Sequence, residues 1–261
     1  MRDTILFGDC RETLKEFDEK ARMCVTSPPY YGLRDYGGED NQIGQEQTPE
    51  EFIEQLVSVF REVKNVLTDD GTCWVNLGDS YYNYRPGKGQ ALVKQSVSKT
   101  KQDLPDKCAK RANKLEGLKE KDLIGIPWMF AFAMRNDGWY LRQDIIWHKP
   151  NPMPESVRDR CTKSHEYIFL FSKNKKYFYD NEAIKEPAKD WGTRDRTNGK
   201  YHNPGTGLAP HSGLSKSYPT KNKRSVWSVT VKPYKEAHFA TYPPDLIEPC
   251  ILAGSEEGDT I

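Results

Sequence analysis

Ser27-Pro28-Pro29-Tyr30 places a short hydroxyl, a doubly constrained backbone and a flat aromatic ring side by side. Two consecutive prolines stop both a helix and an interior strand. The apolar run Met23–Thr26 therefore ends at a rigid aromatic tip. At such a tip a carbonyl and a short side chain can hold an amino group by its hydrogens, and a tyrosine can stack on a base. Chemistry on an exocyclic base amine needs this arrangement. The amine is a poor nucleophile because its lone pair is delocalised into the ring. Acceptors on its hydrogens draw it toward tetrahedral geometry and free that pair. Taken alone, the tetrapeptide reads first as a tight turn, or, as Pro28–Tyr31, as a polyproline-type ligand for a small binding module.

The flanking elements decide what the tip faces. Thr4–Phe7 reads as a short strand ending at Gly8-Asp9, Arg11–Phe17 as a short helix and Met23–Thr26 as a second strand. Strand, helix, strand is the unit of a parallel sheet, and ligands of such sheets bind beyond the carboxyl ends of the strands. Asp9 and Ser27 both fall there. Thr48-Pro49-Glu50-Glu51 is a helix start: Thr48 caps, Pro49 suits the first turn and Glu51 closes a capping box. Phe52, Leu56, Val59, Val63 and Leu67 follow at helical spacing, and Asp69-Asp70-Gly71 ends the helix. Thr72–Leu77 reads as a strand and Pro127–Met134 as a helix. Trp139–Trp147 and Tyr167–Ser172 read as aromatic-rich strands joined by a proline-rich crossing. Pro244–Ala253 reads as a short helix, and Asp259–Ile261 as the first residues of another strand.

The chain has 261 residues and a net charge of +1, so its overall charge names no partner. No run of about 18 apolar residues offers a transmembrane helix, and the N-terminus turns polar too quickly for a signal peptide. Six scattered cysteines without a C-x-x-C pair, and five histidines without ligand spacing, predict reduced thiols and no metal. Charge is unevenly placed. Arg85–Asp122 holds eleven Lys/Arg against five Asp/Glu and reads as a basic insertion, or as a solvated surface loop. Glu182–Trp227 is polar and Gly/Pro-rich, with eleven Lys/Arg against three acids between Lys185 and Lys235; it has no helical period and reads as an irregular, basic, DNA-facing region. Its candidate DNA-binding residues are Arg194, Arg196, Lys200, Lys223 and Arg224.

With the flanks included, the sequence resembles the beta-type DNA amino-methyltransferases, which form N4-methylcytosine or N6-methyladenine. Ser27-Pro28-Pro29-Tyr30 matches that family's (S/N/D)PP(Y/F) motif, and Gly8-Asp9 matches its upstream strand end. The blocks VLTDDGTCWVNLGD, GWYLRQDIIWHKPNPMPESVRDRCTKSHEYIFLFSK and HFATYPPDLIEPCILAGSEEGD follow in the family's order. The resemblance implies an α/β, Rossmann-like S-adenosylmethionine-dependent sheet, circularly permuted, with irregular basic insertions. It implies that Ser27 and the Pro28 carbonyl hold the target amine, Pro29 fixes the tip and Tyr30 stacks on a flipped base. Phe239, Ala240 and Thr241 are expected to line the donor pocket, with Asp9 as a further donor-side candidate or a strand-end cap. Arg158, Arg160, His165 and Glu166 lie in the matching third block; His165 and Glu166 either buttress the site or touch substrate.

The family's Gly-rich donor loop is expected after Ile261 and does not occur within these residues. The expected organisation is a catalytic domain over 1–84 and 123–181, a basic insertion over 85–122, a target-recognition region over 182–235, and a donor-site helix with the next strand's start over 236–261. The expected function is site-specific methylation of double-stranded DNA, with S-adenosylmethionine as donor and no membrane partner. Ser27 favours N4 of cytosine over N6 of adenine. The expected location is the cytoplasm of a bacterial, archaeal or phage-infected cell. The competing reading is a catalytically incomplete DNA-binding fragment or subunit that needs a second polypeptide to supply the donor loop. No Pro-Cys nucleophile motif stands on a loop: Cys250 follows Pro249 inside a predicted helix, which argues for direct transfer over C5 chemistry.

Overall fold

The computed structural model describes residues 4–33, 42–82, 115–188, 219–232 and 241–261. Its centre is a five-stranded sheet of β1 (Ala21–Thr26), β2 (Leu67–Leu77), β3 (Tyr140–His148), β4 (His165–Ser172) and β7 (Val226–Ser228), in the order β1-β2-β4-β3-β7. β1 and β2 are parallel, β4 is antiparallel to β2 and β3, and β7 is parallel to β3. Four strands thus run in one direction and β4 alone runs back, so the sheet is mostly parallel. β5 (Glu186–Pro187) and β6 (Thr220–Lys221) form a separate two-stranded ribbon.

Helices cover both faces, which is why β2 and β4 read as nearly continuous apolar runs rather than alternating ones. On one face α2 (Pro49–Val66) and α3 (Ile126–Asn136) bury Phe52, Leu56, Phe60, Phe130 and Met134 against Cys73, Val75, Phe169 and Phe171. On the other, α4 (Pro244–Gly254) buries Leu246, Cys250 and Ala253 against Met23 and Trp74, beside Ile168 and Leu170. The end of α4 presses close on the sheet: a β-carbon on Gly254 would lie 3.0 Å from Met23 Sδ and 3.1 Å from Trp74 Nε1.

α2 starts as its sequence predicts. The Thr48 hydroxyl accepts from Glu51 N at 3.2 Å, and Glu51 Oε2 accepts from Thr48 N at 3.2 Å. Its inner face is Phe52, Ile53, Leu56, Val57, Phe60 and Val63, with Val59 only half-buried. The helix stops at Val66 and β2 begins at once with Leu67. The register then jumps from Ala21↔Leu67 to Met23↔Thr72, so Asp69-Asp70-Gly71 forms an excursion inside β2 rather than a linker before it.

Two expectations are corrected. Thr4–Phe7 lies outside every strand, with Ile5 75% and Phe7 89% exposed. The parallel unit forms one step later, as β1–α2–β2. Beside β1 runs the segment ending at Ile261 instead: Arg22 N donates to Thr260 O at 2.8 Å, and the Arg22 guanidinium pairs with Asp259 and Asp70. The helix expected over Arg11–Phe17 is α1 (Cys10–Thr13) followed by a single 3₁₀ turn, Leu14–Glu16.

The second correction concerns the 182–235 region, which is not wholly irregular. β7 extends the main sheet, with Trp227 opposite Trp147 and buried. Trp147 Nε1 donates to Val229 O at 2.8 Å, and Asn151 exchanges side-chain hydrogen bonds with the Val231 backbone at 3.0 and 3.1 Å. Trp227, Val229 and Val231 alternate with polar residues, a strand signal masked by the basic surroundings. The 85–122 insertion falls mostly outside the described residues. Its far end returns beside its start: Tyr82 and Lys121–Asp122 exchange backbone hydrogen bonds at 2.8 Å, and the Tyr82 hydroxyl accepts from Leu115 N at 3.0 Å.

Candidate active site at the carboxyl ends of the strands

The shared direction of β1, β2, β3 and β7 brings Thr26, Leu77, His148 and Ser228 to one edge of the sheet, together with the start of antiparallel β4 at His165. The tip Ser27–Tyr30 follows β1 directly onto that edge. Its next residue, Tyr31, is tied to the start of α2: its ring lies 5.5 Å from that of Phe52 and its hydroxyl donates to Gln47 O at 3.2 Å. Behind the tip, Gly44 has φ +102°, and a β-carbon there would lie 3.2 Å from Tyr30 O and 3.4 Å from Pro29 Cβ. Glycine is therefore required at 44 by conformation and by space.

Tyr30 is half-buried and turned into the site edge. Its phenol donates to Glu166 Oε2 at 2.8 Å, and Asn76 Oδ1 lies 3.4 Å away. Asn76 is fixed in turn by donating from Nδ2 to Tyr167 O at 3.0 Å. Glu166 Oε1 pairs with Lys149, and both side chains are largely shielded from solvent. The Lys149 ammonium also sits 4.1 Å from the centre of the Trp147 ring. Burial first, then the Glu166 charge and its hydrogen bond, push the phenol well above its usual range, outweighing hydrogen bonds from Ser27 and the Gly78 backbone. Tyr30 thus stays protonated as a donor. Gly78 forms the floor beneath it: a β-carbon would fall 2.7 Å from Tyr30 Cε2.

Asp79, next along, closes the other side. Its carboxylate accepts from Gly125 N at 3.0 Å and Ile126 N at 3.2 Å, capping α3 from outside that helix. Its carbonyl accepts from the Lys163 ammonium, whose pKa burial pulls down. The α3 cap and the Lys149–Glu166 pair were not singled out as such from sequence. The Gly-Asp following a strand was the available signal for Asp79; for Lys149 there was none.

The other predicted residues are dispersed. Asp9 caps α1 by accepting from Arg11 N at 2.9 Å, and the Arg11 guanidinium holds its carboxyl below the usual carboxylate range. Arg11 also donates to Gln55 of α2 at 2.5 Å. Thr241 is exposed immediately before α4, whereas Phe239 and Ala240 lie outside the described residues. So do Arg194, Arg196 and Lys200. Arg224 donates to Glu186 Oε1 at 2.6 Å, and the Lys223 ammonium lies 5.1 Å from the Trp227 ring centre. Arg160 is bound to Glu155 at 2.6 Å and stacks 4.0 Å over Tyr81, while Arg158 is exposed. His165 stands opposite His148 at the edge, and its ring meets that of Tyr167 edge-on at 5.4 Å. Cys250 is buried in α4 and its thiol is pushed up to about 12 by that burial, which leaves no thiolate at neutral pH. Among the described residues no group of His, Cys, Asp or Glu could hold a metal ion, and no helix is long and apolar enough to cross a membrane.

A family model described as DNA methylase, covering N6 and N4 methyltransferases, matches residues 21–261. The chain belongs to this DNA methylase family. It is 46% identical over 263 residues to the type II methyltransferase M.XycI of Xanthomonas campestris pv. cyanopsidis, covering 100% of this chain and 76% of that protein. The fold is that of the cytosine-N4-specific PvuII DNA methyltransferase, with a TM-score of 0.58 at 15% identity over 97% of this chain and 70% of that one. A putative DNA modification methylase from Thermus thermophilus, solved with S-adenosyl-L-methionine, matches with a TM-score of 0.51 at 20% identity, over 97% of this chain and 74% of that one. The DNA methylase is thus a Rossmann-like α/β enzyme, related to the type II methyltransferases.

Proposed function

We propose that this DNA methylase moves a methyl group from S-adenosylmethionine directly to the exocyclic amine of a flipped base, N4 of cytosine in preference to N6 of adenine. The observation that carries this reading is the Ser27–Tyr30 tip, held rigid at the edge where the strand ends converge. The donor supplies an electrophilic methyl on sulfonium. Ser27 and the Pro28 carbonyl hold the two amine hydrogens, so the nitrogen lone pair faces the methyl carbon. A new N–C bond would form as the C–S bond breaks to leave the donor's neutral thioether, and one of the amine protons held by Ser27 and the Pro28 carbonyl would pass on to solvent. Tyr30 receives the ring of the extruded base, whose unstacking costs about a few kcal/mol. Cys250, the one cysteine that follows a proline, is buried inside α4 rather than on a loop, which supports transfer without a covalent enzyme intermediate. Serine at the first motif position supports cytosine.

On the donor side, exposed Thr241 precedes the helix that packs on β1, which fits a pocket wall with Phe239 and Ala240. Asp9 has its carboxylate committed to Arg11 and to the start of α1, so its contacts support the cap role over donor binding. Donor binding by this chain itself and donor binding completed by a second polypeptide carrying the donor loop are the two readings to be tested. Assays with and without an added polypeptide carrying that loop separate the two. The defining experiment is tritiated methyl transfer to unmethylated double-stranded DNA, followed by nucleoside digestion and chromatography. N4-methylcytosine is the expected product; N6-methyladenine would overturn the base assignment. The reading places the protein in the cytoplasm, where its DNA is.

Target selection falls to the 182–235 region, whose β7 extends the main sheet. There Lys221 and Arg224 share Glu186, while Lys223 forms no ion pair among the described residues. Lys223→Ala is therefore expected to lower the slope of log K against log salt by about one unit, and Arg224→Ala by less. Binding titrations over a range of salt concentrations check this. An unchanged slope for Lys223→Ala would move the phosphate contacts elsewhere, with Arg85–Asp122 the next basic segment to test.

A further inference from the structure

We infer that Glu166, held by Lys149, is a positioning residue for methyl transfer: it sets the orientation of the Tyr30 ring at the tip. The inference rests on the tip reading and adds to it one residue of β4 and one just beyond β3.

Tyr30 sits on a loop, and a loop alone leaves an aromatic ring free to turn about two side-chain torsions. Here the far end of that ring is caught. Glu166 stands at the start of β4, opposite Trp147 of β3 in the sheet register. It presents Oε2 to the Tyr30 phenol at 2.8 Å. Lys149, just beyond the end of β3, takes Oε1. The lysine is itself fixed: its backbone N donates to Ser164 O at 2.8 Å, and its ammonium lies over the Trp147 ring. The chain of contacts runs from the tip of β1 through the start of β4 to the end of β3.

Each carboxylate oxygen of Glu166 therefore has one named partner. A carboxylate accepts the phenolic proton more strongly than a neutral acceptor does, so Glu166 outcompetes the more distant Asn76 Oδ1 for it. The ammonium compensates a carboxylate that is mostly shielded from water, which would otherwise be costly to keep charged. Gly78 removes the last freedom, because the ring lies against it with no room for a β-carbon. A ring held at both ends presents a fixed face to an incoming base. Misplacement by about 1 Å at such a site can cost on the order of a hundredfold in rate.

The test is steady-state methyl transfer by the full-length enzyme. Tyr30→Phe, which keeps the Lys149–Glu166 pair intact, is expected to lower kcat about tenfold, with the KM for S-adenosylmethionine and the Kd for DNA within about twofold. Glu166→Gln retains an acceptor and should lose less than Glu166→Ala. The Tyr30→Phe/Glu166→Ala double variant should be slower than Glu166→Ala by much less than Tyr30→Phe is slower than the wild type, since each single variant already removes the Tyr30–Glu166 contact and only the phenol's weaker bonds to Ser27 and Gly78 are lost in addition. Where Glu166→Ala fails to fold with Lys149 left unpaired, Glu166→Ala/Lys149→Met removes both charges and takes its place. Additive losses in the double variant, or unchanged kcat in Tyr30→Phe and in the Glu166 variants, would overturn the inference. Ser27→Ala run in parallel separates the two levels. If it too retains full turnover, the tip reading itself is wrong; if it is inactive while the network variants are not, only the network falls.

Discussion

Ser27→Ala is expected to lower methyl transfer by at least about a hundredfold while leaving DNA affinity within about threefold. A fixed polar group aimed at the reacting atoms typically contributes on the order of 10²–10³ in kcat. Ser27 fits that role because it follows directly on β1 and is backed by two prolines. Its loss removes one hold on the amine without removing a phosphate contact, and phosphate contacts dominate affinity for duplex DNA. Tyr30→Ala should be equally damaging to turnover, but it is a less clean variant. It also leaves Glu166 without its phenol and opens space beside Gly78, so its thermal stability must be measured alongside. Single-turnover tritium incorporation with saturating donor reads the chemical step, and filter binding reads DNA affinity. Turnover at the wild-type rate by Ser27→Ala would remove the tip from the chemistry.

The tip was legible in the sequence because its constraint is local. Two prolines after an apolar run force a strand to end, whatever packs around it. α2 was legible for the same reason: Thr48, Pro49 and Glu51 carry their own start signal, and the hydrogen bonds form as that signal requires. What could not be read depends on tertiary pairing. Ile5, Leu6 and Phe7 look like a buried strand, yet a short apolar run becomes a strand only where a sheet edge accepts it. The segment at Thr260 lies beside β1 instead. β7 is hidden for the opposite reason: it is only three residues long, and the alternation of Trp227, Val229 and Val231 that runs past its end is set among basic residues. Lys149 and Glu166 are 17 residues apart, and only the antiparallel turn between β3 and β4 makes them partners. The sequence resemblance located Glu166 in the right block, but no residue pattern pairs a carboxylate with one particular lysine or tyrosine across strands.

Gly78→Ala is expected to reduce kcat by about ten- to a hundredfold through a single added methyl group. At that position a β-carbon would lie 2.7 Å from Tyr30 Cε2, 3.3 Å from Cζ and 3.4 Å from Glu166 Cδ. Carbon atoms in contact prefer about 3.5–4.0 Å, so either the ring or the backbone after β2 must move by close to 1 Å. The ring has little room to retreat. Its phenol is bound to Glu166, and the backbone behind it is packed against Gly44. Overpacking of this kind costs about 1–3 kcal/mol, a loss the fold should survive, while the misplaced ring spoils the site. The decisive comparison is the double variant. In Tyr30→Ala the atoms that the new methyl would strike are gone, so Gly78→Ala added to Tyr30→Ala should cost little further activity and little further stability, a strongly non-additive pair. Measured kcat and melting temperature for both single variants and the double variant give the coupling directly. If Gly78→Ala slows the Tyr30→Ala enzyme by the same factor as it slows the wild type, the glycine acts on the backbone before Asp79, through the cap on α3, and not on the ring.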